Sequence, residues 1–206
     1  SQLGQEGGNA VADILFGELT PSGKLTTTWT KRYDDCPAAE EFSYLNGNLE
    51  TEEYAEGIYV GYRYFDSVGK EVLFPFGYGV SYTNFEVRFK GLKLDEMTAE
   101  ISAEVENTGD FCGKEVVQLY VSAPEGKLDQ PYQTLASWKK TEELKPGEKQ
   151  TVELSFLLTD LASYDEEQAA WILEQGEYTL RMGNSSRDTE VCGVISVQET
   201  LGIKSV

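Results

Sequence analysis

The feature that most constrains the fold is a series of short segments, from residue 85 onward, in which apolar and polar residues alternate. In 85–89 and in 101–105 every second residue is apolar, which puts the apolar side chains on one face of a strand. Turn sequences such as Lys145-Pro146-Gly147-Glu148 separate the segments. Further strands are predicted at 116–121, 135–138, 152–156, 171–173, 178–182 and 191–197. Seven or eight strands over about 115 residues, without a long helix, are typical of an immunoglobulin-like β-sandwich.

Composition excludes several classes of partner. The chain has 206 residues, 40% of them hydrophobic, which is enough apolar material for a sizeable core. Its formal net charge of −19 at pH 7 would repel nucleic acids and anionic membrane surfaces, so neither is expected as a partner. No apolar run approaches the ~18 residues that a membrane-spanning helix needs.

The cysteines and the missing histidine limit the chemistry. Cys36, Cys112 and Cys192 are far apart, and no metal-ligand spacing links them. Without histidine there can be no Cys/His zinc site and no Ser-His-Asp or Cys-His catalysis. Reduced thiols are expected, with a Cys112–Cys192 disulfide as the alternative, and no metal or cofactor is expected. Reduced thiols and the absence of a basic targeting stretch favour the cytoplasm over secretion.

Residues 1–30 have the pattern of an α/β fragment. Apolar residues recur at helical spacing between Ala10 and Leu15 and predict a helix over 4–18, which Thr20-Pro21-Ser22-Gly23 would end. Lys24 to Trp29 alternates and predicts a short strand. The helix has an apolar face but no preceding segment to cover it. We therefore expect that the chain begins inside a larger domain.

Residues 56–85, which we call the aromatic junction, are much richer in aromatic side chains and glycines than the rest of the chain. Rings at this density need a packed interior or a ligand to cover them. Packing between two domains is the favoured interpretation, and a stacking platform for sugar rings is the alternative. The predicted packing residues are Tyr59, Tyr62, Arg63, Tyr64, Phe74, Phe76, Tyr78, Tyr82 and Phe85. Arg63 is expected to stack on a ring or to pair with Glu56 or Asp66.

Acidic residues are numerous, but few are candidates for chemistry. Adjacent pairs such as Asp34-Asp35 and Glu166-Glu167 would point to opposite faces of a strand, so a solvated surface is expected for them. Glu6 and its neighbour Gln5 stand at the start of the predicted helix, where α/β folds often border a ligand site. They are weak candidates for substrate binding, and helix capping by Glu6 is the alternative.

Several motifs, in the same order, resemble glycoside hydrolase family 3, the β-glucosidases and their relatives. GQEGGNAVADILFGELTPSGKL (4–25) looks like the last helix, loop and strand of that family's α/β sandwich domain. EVENTGDFCGKEVVQLYV (104–121) looks like strands B and C of its fibronectin type III-like domain. LKPGEKQTVELSF (144–156) and GEYTLRMGNSS (176–186) match later strands, and the aromatic junction resembles the segment that links the two domains.

The resemblance implies a mainly β chain in which a fibronectin type III or immunoglobulin-like β-sandwich follows a short α/β remnant and an extended aromatic junction. The expected domains are the remnant of the α/β sandwich domain at 1–30, an extended linker and interdomain junction at 31–84, and the fibronectin type III-like sandwich at 85–206.

The resemblance also implies a function for the parent enzyme. Members of the family hydrolyse β-linked glucosides or xylosides with retention, using an aspartate nucleophile and usually a glutamate acid/base. Both lie in domains that this chain lacks, so no catalytic residue can be assigned here and the chain alone is expected to be inactive. It would brace the missing catalytic domains, which bind the β-glucoside or oligosaccharide, and could help a homodimer form. The alternative is a stand-alone fibronectin-like module that binds carbohydrate or protein.

Overall fold

The computed structural model describes residues 4–42 and 47–203. Helix α1 spans Gly7–Leu15, a short 3-10 helix spans Tyr33–Asp35, and helix α2 spans Tyr62–Ser67. A second 3-10 turn, Leu158–Leu161, lies among the strands. Within the described ranges no helix is both long enough and apolar enough to cross a membrane.

Ten antiparallel strands follow α2. They are β1 (Phe85–Asp95), β2 (Thr98–Asn107), β3 (Val116–Ser122), β4 (Thr134–Lys140), β5 (Lys149–Leu157), β6 (Ser163–Asp165), β7 (Ala170–Leu173), β8 (Gly176–Ser185), β9 (Asp188–Val197) and β10 (Leu201–Ile203). One sheet has the order β1-β2-β5 and the other the order β4-β3-β8-β9. A small sheet, β10-β7-β6, completes the fold. The mainly β, antiparallel fold predicted from the alternation is confirmed.

Alternation along the strands builds the core between the two larger sheets. In β5 every second residue is buried, including Val152, Leu154 and Phe156. These side chains join Ile101 and Leu180 in one apolar cluster. Each fully buried aliphatic side chain of this kind contributes about 1.5–3 kcal/mol. The sandwich is therefore held by a core of its own.

Strand β3 departs from the alternation because all five of its central residues are buried. Val117, Leu119 and Val121 belong to the core cluster, whereas Gln118 and Tyr120 lie on the opposite face. An antiparallel sheet commonly leaves that opposite face in water. Its burial here means that another part of the chain covers β3 from outside.

Four details differ from the sequence-based expectations. Helix α1 is shorter than 4–18, because Gly17 adopts a left-handed φ of +78° directly after the C-cap Phe16. Lys24–Trp29 is not a continuous strand: Leu25 and Trp29 bond to the backbone of 74–78, but a bend at 26–27 interrupts the ladder. The junction is not wholly extended, since α2 lies within it. Strands β6 and β10, three residues each, were too short to predict from alternation.

All three cysteines are free thiols, as expected, and no disulfide joins Cys112 to Cys192. Cys112 is exposed, while Cys192 is partly buried and its Sγ lies 3.6 Å from the carbonyl oxygen of Leu180. Burial raises the pKa of the Cys192 thiol to about 11, because the low-polarity surroundings disfavour the thiolate.

We expect iodoacetamide at pH 8 to alkylate Cys112 about a hundredfold faster than Cys192, because only the thiolate reacts. The rate at Cys192 should then rise about tenfold per pH unit until the pH approaches its pKa. Peptide mass mapping after timed quenching measures both rates, with Cys36→Ser/Cys112→Ser as the control that isolates Cys192. Equal labelling of the two residues at pH 8 would contradict this account.

Candidate functional site

Helix α2 attaches the aromatic junction to the outer face of β3, which carries Gln118 and Tyr120. Tyr62 stacks on Phe76 with ring centroids 4.6 Å apart, and it meets the edge of Tyr120 at 6.0 Å. The Tyr62 hydroxyl accepts a hydrogen bond from the backbone N–H of Leu135, at 2.8 Å. Tyr120 is fully buried, and this burial raises the pKa of its hydroxyl. The rings of the junction thus account for the covered outer face of β3.

The polar residue beside Tyr120 secures the same contact. Gln118 is buried, and its Nε2 donates to the carbonyl oxygens of Gly77, at 3.1 Å, and Asn184, at 2.6 Å. Its Oε1 accepts from the Tyr120 hydroxyl, at 2.6 Å. Gly77 has a left-handed φ of +79°, and a Cβ at that position would overlap the Gln118 carboxamide. Glycine is therefore required for this close approach.

A buried ion pair links α2 to the hairpin between β8 and β9. The Asp66 side chain is only 4% exposed, and its Oδ1 accepts from Nε of Arg187 at 2.8 Å. Arg187 also donates to the carbonyl oxygens of Phe65 and Lys70, at 2.9 and 2.7 Å. Gln133 donates to the second oxygen of Asp66, at 3.2 Å. Asp66 was one of the two acids expected to pair with Arg63, but the structure pairs it with Arg187.

Three further contacts attach the N-terminal part to the junction and to the sandwich. The Tyr82 hydroxyl donates to the carbonyl oxygen of Ile14, near the end of α1, at 2.8 Å. Nζ of Lys24 lies 2.7 Å from Oε1 of Glu115, and both side chains are largely buried. Lys140 donates to the carbonyl oxygen of Ser22, at 3.1 Å. Residues before the junction are therefore tied both to the junction and to the sandwich.

The other predicted packing residues have varied surroundings. Phe74 stacks on Tyr78 at 5.1 Å and meets the edge of Trp29 at 6.1 Å, yet all three rings remain partly exposed. Tyr64 contacts the edge of Phe65 at 5.2 Å, and Phe85 packs against the core cluster. Trp29 packs in the same set of rings. Sequence analysis did not include it among the packing residues because it lies outside the junction.

Gln5 and Glu6, the weak substrate-binding candidates, are exposed at the start of α1. Glu6 is the N-cap residue, but its carboxylate makes no capping bond and instead accepts from the side chain of Asn9 at 2.6 Å. The capping role considered for Glu6 is therefore not observed. Among residues 4–42 and 47–203, no group of three or more Cys, Asp or Glu side chains could hold a metal ion.

Arg63 and Tyr59 line a cavity of about 590 Å³ between the junction and the sandwich. The Tyr59 hydroxyl donates to Oδ1 of Asp129 at 2.6 Å, and this hydrogen bond raises its pKa. On the sandwich side, the wall carries Tyr164 and Trp171, whose ring centroids are 5.5 Å apart. Sequence reasoning did not link these two rings to Arg63, because about a hundred residues separate them along the chain.

The most exposed apolar side chains of residues 4–30 lie at the end of α1 and just after it. Leu15 is 75% exposed and Phe16 is 84% exposed, with Val11 and Leu19 also on the surface. We call these four residues the N-terminal apolar face. Exposed apolar side chains that are neighbours on a protein surface mark a contact with another molecule or another domain.

Two family models match the chain. The glycosyl hydrolase family 3 C-terminal domain matches residues 1–82, and the fibronectin type III-like domain matches residues 115–186. The β-glucosidase of Kluyveromyces marxianus is 43% identical over 95% of this chain and 22% of its own length. β-Glucosidase A of Butyrivibrio fibrisolvens is 42% identical over 92% of this chain and 25% of its own length. The chain thus spans about a quarter of the curated relatives it matches.

Solved structures agree with these matches. β-Glucosidase 3B of Thermotoga neapolitana, in complex with α-D-glucose, superposes with a TM-score of 0.91 at 43% identity. The alignment covers 98% of this chain and 28% of that one. The Kluyveromyces marxianus enzyme superposes with a TM-score of 0.90 at 40% identity, over 96% of this chain and 23% of that one. The chain belongs to glycoside hydrolase family 3 and corresponds to the C-terminal domain sequence and the fibronectin type III-like domain of the family's β-glucosidases.

Proposed function

We propose that this chain is the non-catalytic, bracing part of an enzyme that hydrolyses terminal β-D-glucosides with retention. The N-terminal apolar face is the observation that carries the proposal. It lies on the last turns of α1 and just after them, within the region that matches the family's C-terminal domain, and the described residues of this chain leave it exposed. Further sequence of that domain, from the rest of the enzyme, is the partner that would cover it.

The contacts along the junction explain how bracing would work. The bond from Tyr82 to Ile14 joins α1 to the junction, and the ion pair of Lys24 with Glu115 joins the segment after α1 to the sandwich. Helix α1 is therefore held, through the junction, by a sandwich that has its own apolar core. A catalytic region packed on the N-terminal apolar face would be held in place by the same contacts, and a fixed geometry favours catalysis because reacting groups lose less freedom.

The catalytic step itself is assigned to the missing domains. Retaining glycosidases need two carboxyl groups about 5–5.5 Å apart across the scissile bond, one as nucleophile and one as acid/base. Three acids with largely buried side chains have structural partners: Asp66 and Glu115 are paired with basic side chains, and Asp165 accepts backbone hydrogen bonds from Glu167 and Gln168. We therefore propose that the missing domains supply both carboxyl groups.

The proposal can be tested with a chimera in which this chain replaces the matched region of the Kluyveromyces marxianus β-glucosidase. We expect the chimera to hydrolyse an aryl β-D-glucoside and the chain alone to show no turnover. Replacing Leu15 and Phe16 with aspartate should lower activity at least tenfold, because buried unpaired charges would disrupt the contact. The matched control is Val191→Asp on β9, which is similarly exposed and should leave activity unchanged.

Two results would refute the proposal. One is hydrolysis by the isolated chain that a carboxyl substitution within it abolishes. The other is full activity of the chimera carrying Leu15→Asp and Phe16→Asp, since the apolar face would then lack the assigned role. Circular dichroism of the same double variant in the isolated chain separates lost docking from lost folding, because both side chains are already exposed there.

A further inference from the structure

The cavity between the aromatic junction and the sandwich has two solvent-exposed aromatic rings on one wall. Tyr164 on β6 and Trp171 on β7 are directly opposite each other in the register and are 48% and 45% exposed. Their neighbour Ile172 points the other way and is buried. Core packing therefore does not explain the two rings, and exposed rings grouped at a concave surface indicate a binding site.

The other walls of this cavity carry charged groups without protein partners. Within 4–42 and 47–203, the side chains of Arg63, Asp160 and Glu166 make no hydrogen bond or ion pair with the protein; all three line the cavity, and the two acids are exposed. Arg63 is half-buried, in a chain whose net charge is −19. A partly buried guanidinium retains five N–H donors, and two carboxylates offer only acceptors. A ligand that both accepts and donates hydrogen bonds therefore suits this lining.

We propose that this cavity binds an uncharged oligosaccharide. One pyranose ring would lie against Trp171 and Tyr164, because the C–H groups of a sugar ring form an apolar face that suits an aromatic surface. Its hydroxyls would accept from Arg63 and donate to Asp160 and Glu166, since a hydroxyl does both. The volume of about 590 Å³ lies within the roughly 300–1,000 Å³ of small-molecule sites and suits two or three sugar units.

Charge distinguishes this ligand from the alternatives. The carboxylates of Asp160 and Glu166 would repel a phosphate or another anion. The positive charge of Arg63, which lines the same cavity, would repel a cation that the aromatic rings would otherwise attract. A neutral polyol avoids both penalties. The inference does not rest on the proposed function, because it concerns binding without turnover by the chain itself and uses none of the N-terminal apolar face.

The experiment titrates the full 206-residue chain with cellotriose and follows saturation-transfer NMR and tryptophan fluorescence. We expect a dissociation constant on the order of 1 mM. Trp171→Ala should weaken binding about tenfold and Arg63→Gln about fivefold, and Trp171→Phe should abolish the fluorescence change while retaining part of the binding. Arg63→Gln leaves β6 and β7 untouched, so it tests the site even if Trp171→Ala fails to fold.

The matched control is Trp138→Ala on β4, a tryptophan with 61% exposure that lies outside the cavity, and its binding should equal that of the unsubstituted chain. Maltotriose and tetramethylammonium chloride serve as competitor ligands. Cellotriose bound more tightly than maltotriose would define the linkage, and equal binding of both would support the general class. Absence of saturation transfer at about 20 mM, undiminished binding in Arg63→Gln, or binding of tetramethylammonium alone would overturn the proposal.

Discussion

The double substitution Tyr62→Ala with Phe76→Ala should lower the free energy of unfolding by about 4–6 kcal/mol. Truncating a buried aromatic ring typically costs about 3–5 kcal/mol, and we use about 2–3 kcal/mol for each of these half-buried rings. Loss of the Tyr62 hydroxyl also leaves the backbone N–H of Leu135 without its acceptor. Because the two rings stack on each other, the second substitution should cost less than the first, which offsets the cost of the lost hydrogen bond and leaves the total near the sum for the two rings.

Urea denaturation of the single and double variants measures this effect, and hydrogen exchange locates it. The amides of 56–84 should exchange faster, while those of β2 and β5 should stay protected because the sandwich core is separate from the two rings. Tyr54→Ala is the matched control, since Tyr54 precedes the junction and is almost fully exposed. An unchanged unfolding midpoint in the double variant would show that the junction does not stabilise the chain.

Arg187→Ala should cost about 3 kcal/mol, the second largest loss we expect. The substitution leaves the Asp66 carboxylate buried with Gln133 as its remaining side-chain donor, and removing one partner of a buried pair commonly costs about 3–5 kcal/mol. We take the lower value because Arg187 itself is partly exposed. The carbonyl oxygen of Lys70 also loses its donor, and that of Phe65 keeps only the backbone N–H of Lys70. Helix α2 should therefore open more often, which faster exchange of the Val68 and Lys70 amides would report.

A second substitution tests the cause. Asp66→Asn in the Arg187→Ala background removes the buried charge and should restore part of the lost stability, since a neutral amide is cheaper to bury than a carboxylate. Arg32→Ala, which breaks an exposed ion pair with Asp34, is the matched control and should change stability very little. If Arg187→Ala and Arg32→Ala had equal effects, the buried pair would not be what holds α2.

Most of the sandwich could be predicted from local pattern. Strand β5 alternates strictly, and 152–156 therefore identified its buried face before the structure was known. Strands β6 and β10 were missed because three residues do not establish a period. Helix α2 was missed for a different reason: Tyr62–Ser67 carries no apolar repeat of helical spacing, and the residues that hold it lie on β4, on the β8–β9 hairpin and in the segment that leads into β4.

The cavity shows where sequence reasoning about the site stopped. Arg63 was singled out because a guanidinium among rings is unusual, and pairing with Glu56 or Asp66 was one expectation. The acid that could have neutralised it, Asp66, is instead bound by Arg187, which is 121 residues away in sequence. Trp171 and Tyr164 were expected to belong to strands, but nothing in their local sequence places them in the same cavity as Arg63.

The sequence by itself determined the strands, the family motifs and the aromatic character of the junction, because alternation, turn residues and composition are local properties. Only the tertiary structure decided that β3 is covered on both faces, that Asp66 pairs with Arg187, and that Arg63 is left facing a cavity without a partner. These features depend on which distant residues meet. A local pattern states that a side chain must be buried or paired, but the partner is chosen by the packing of the whole chain.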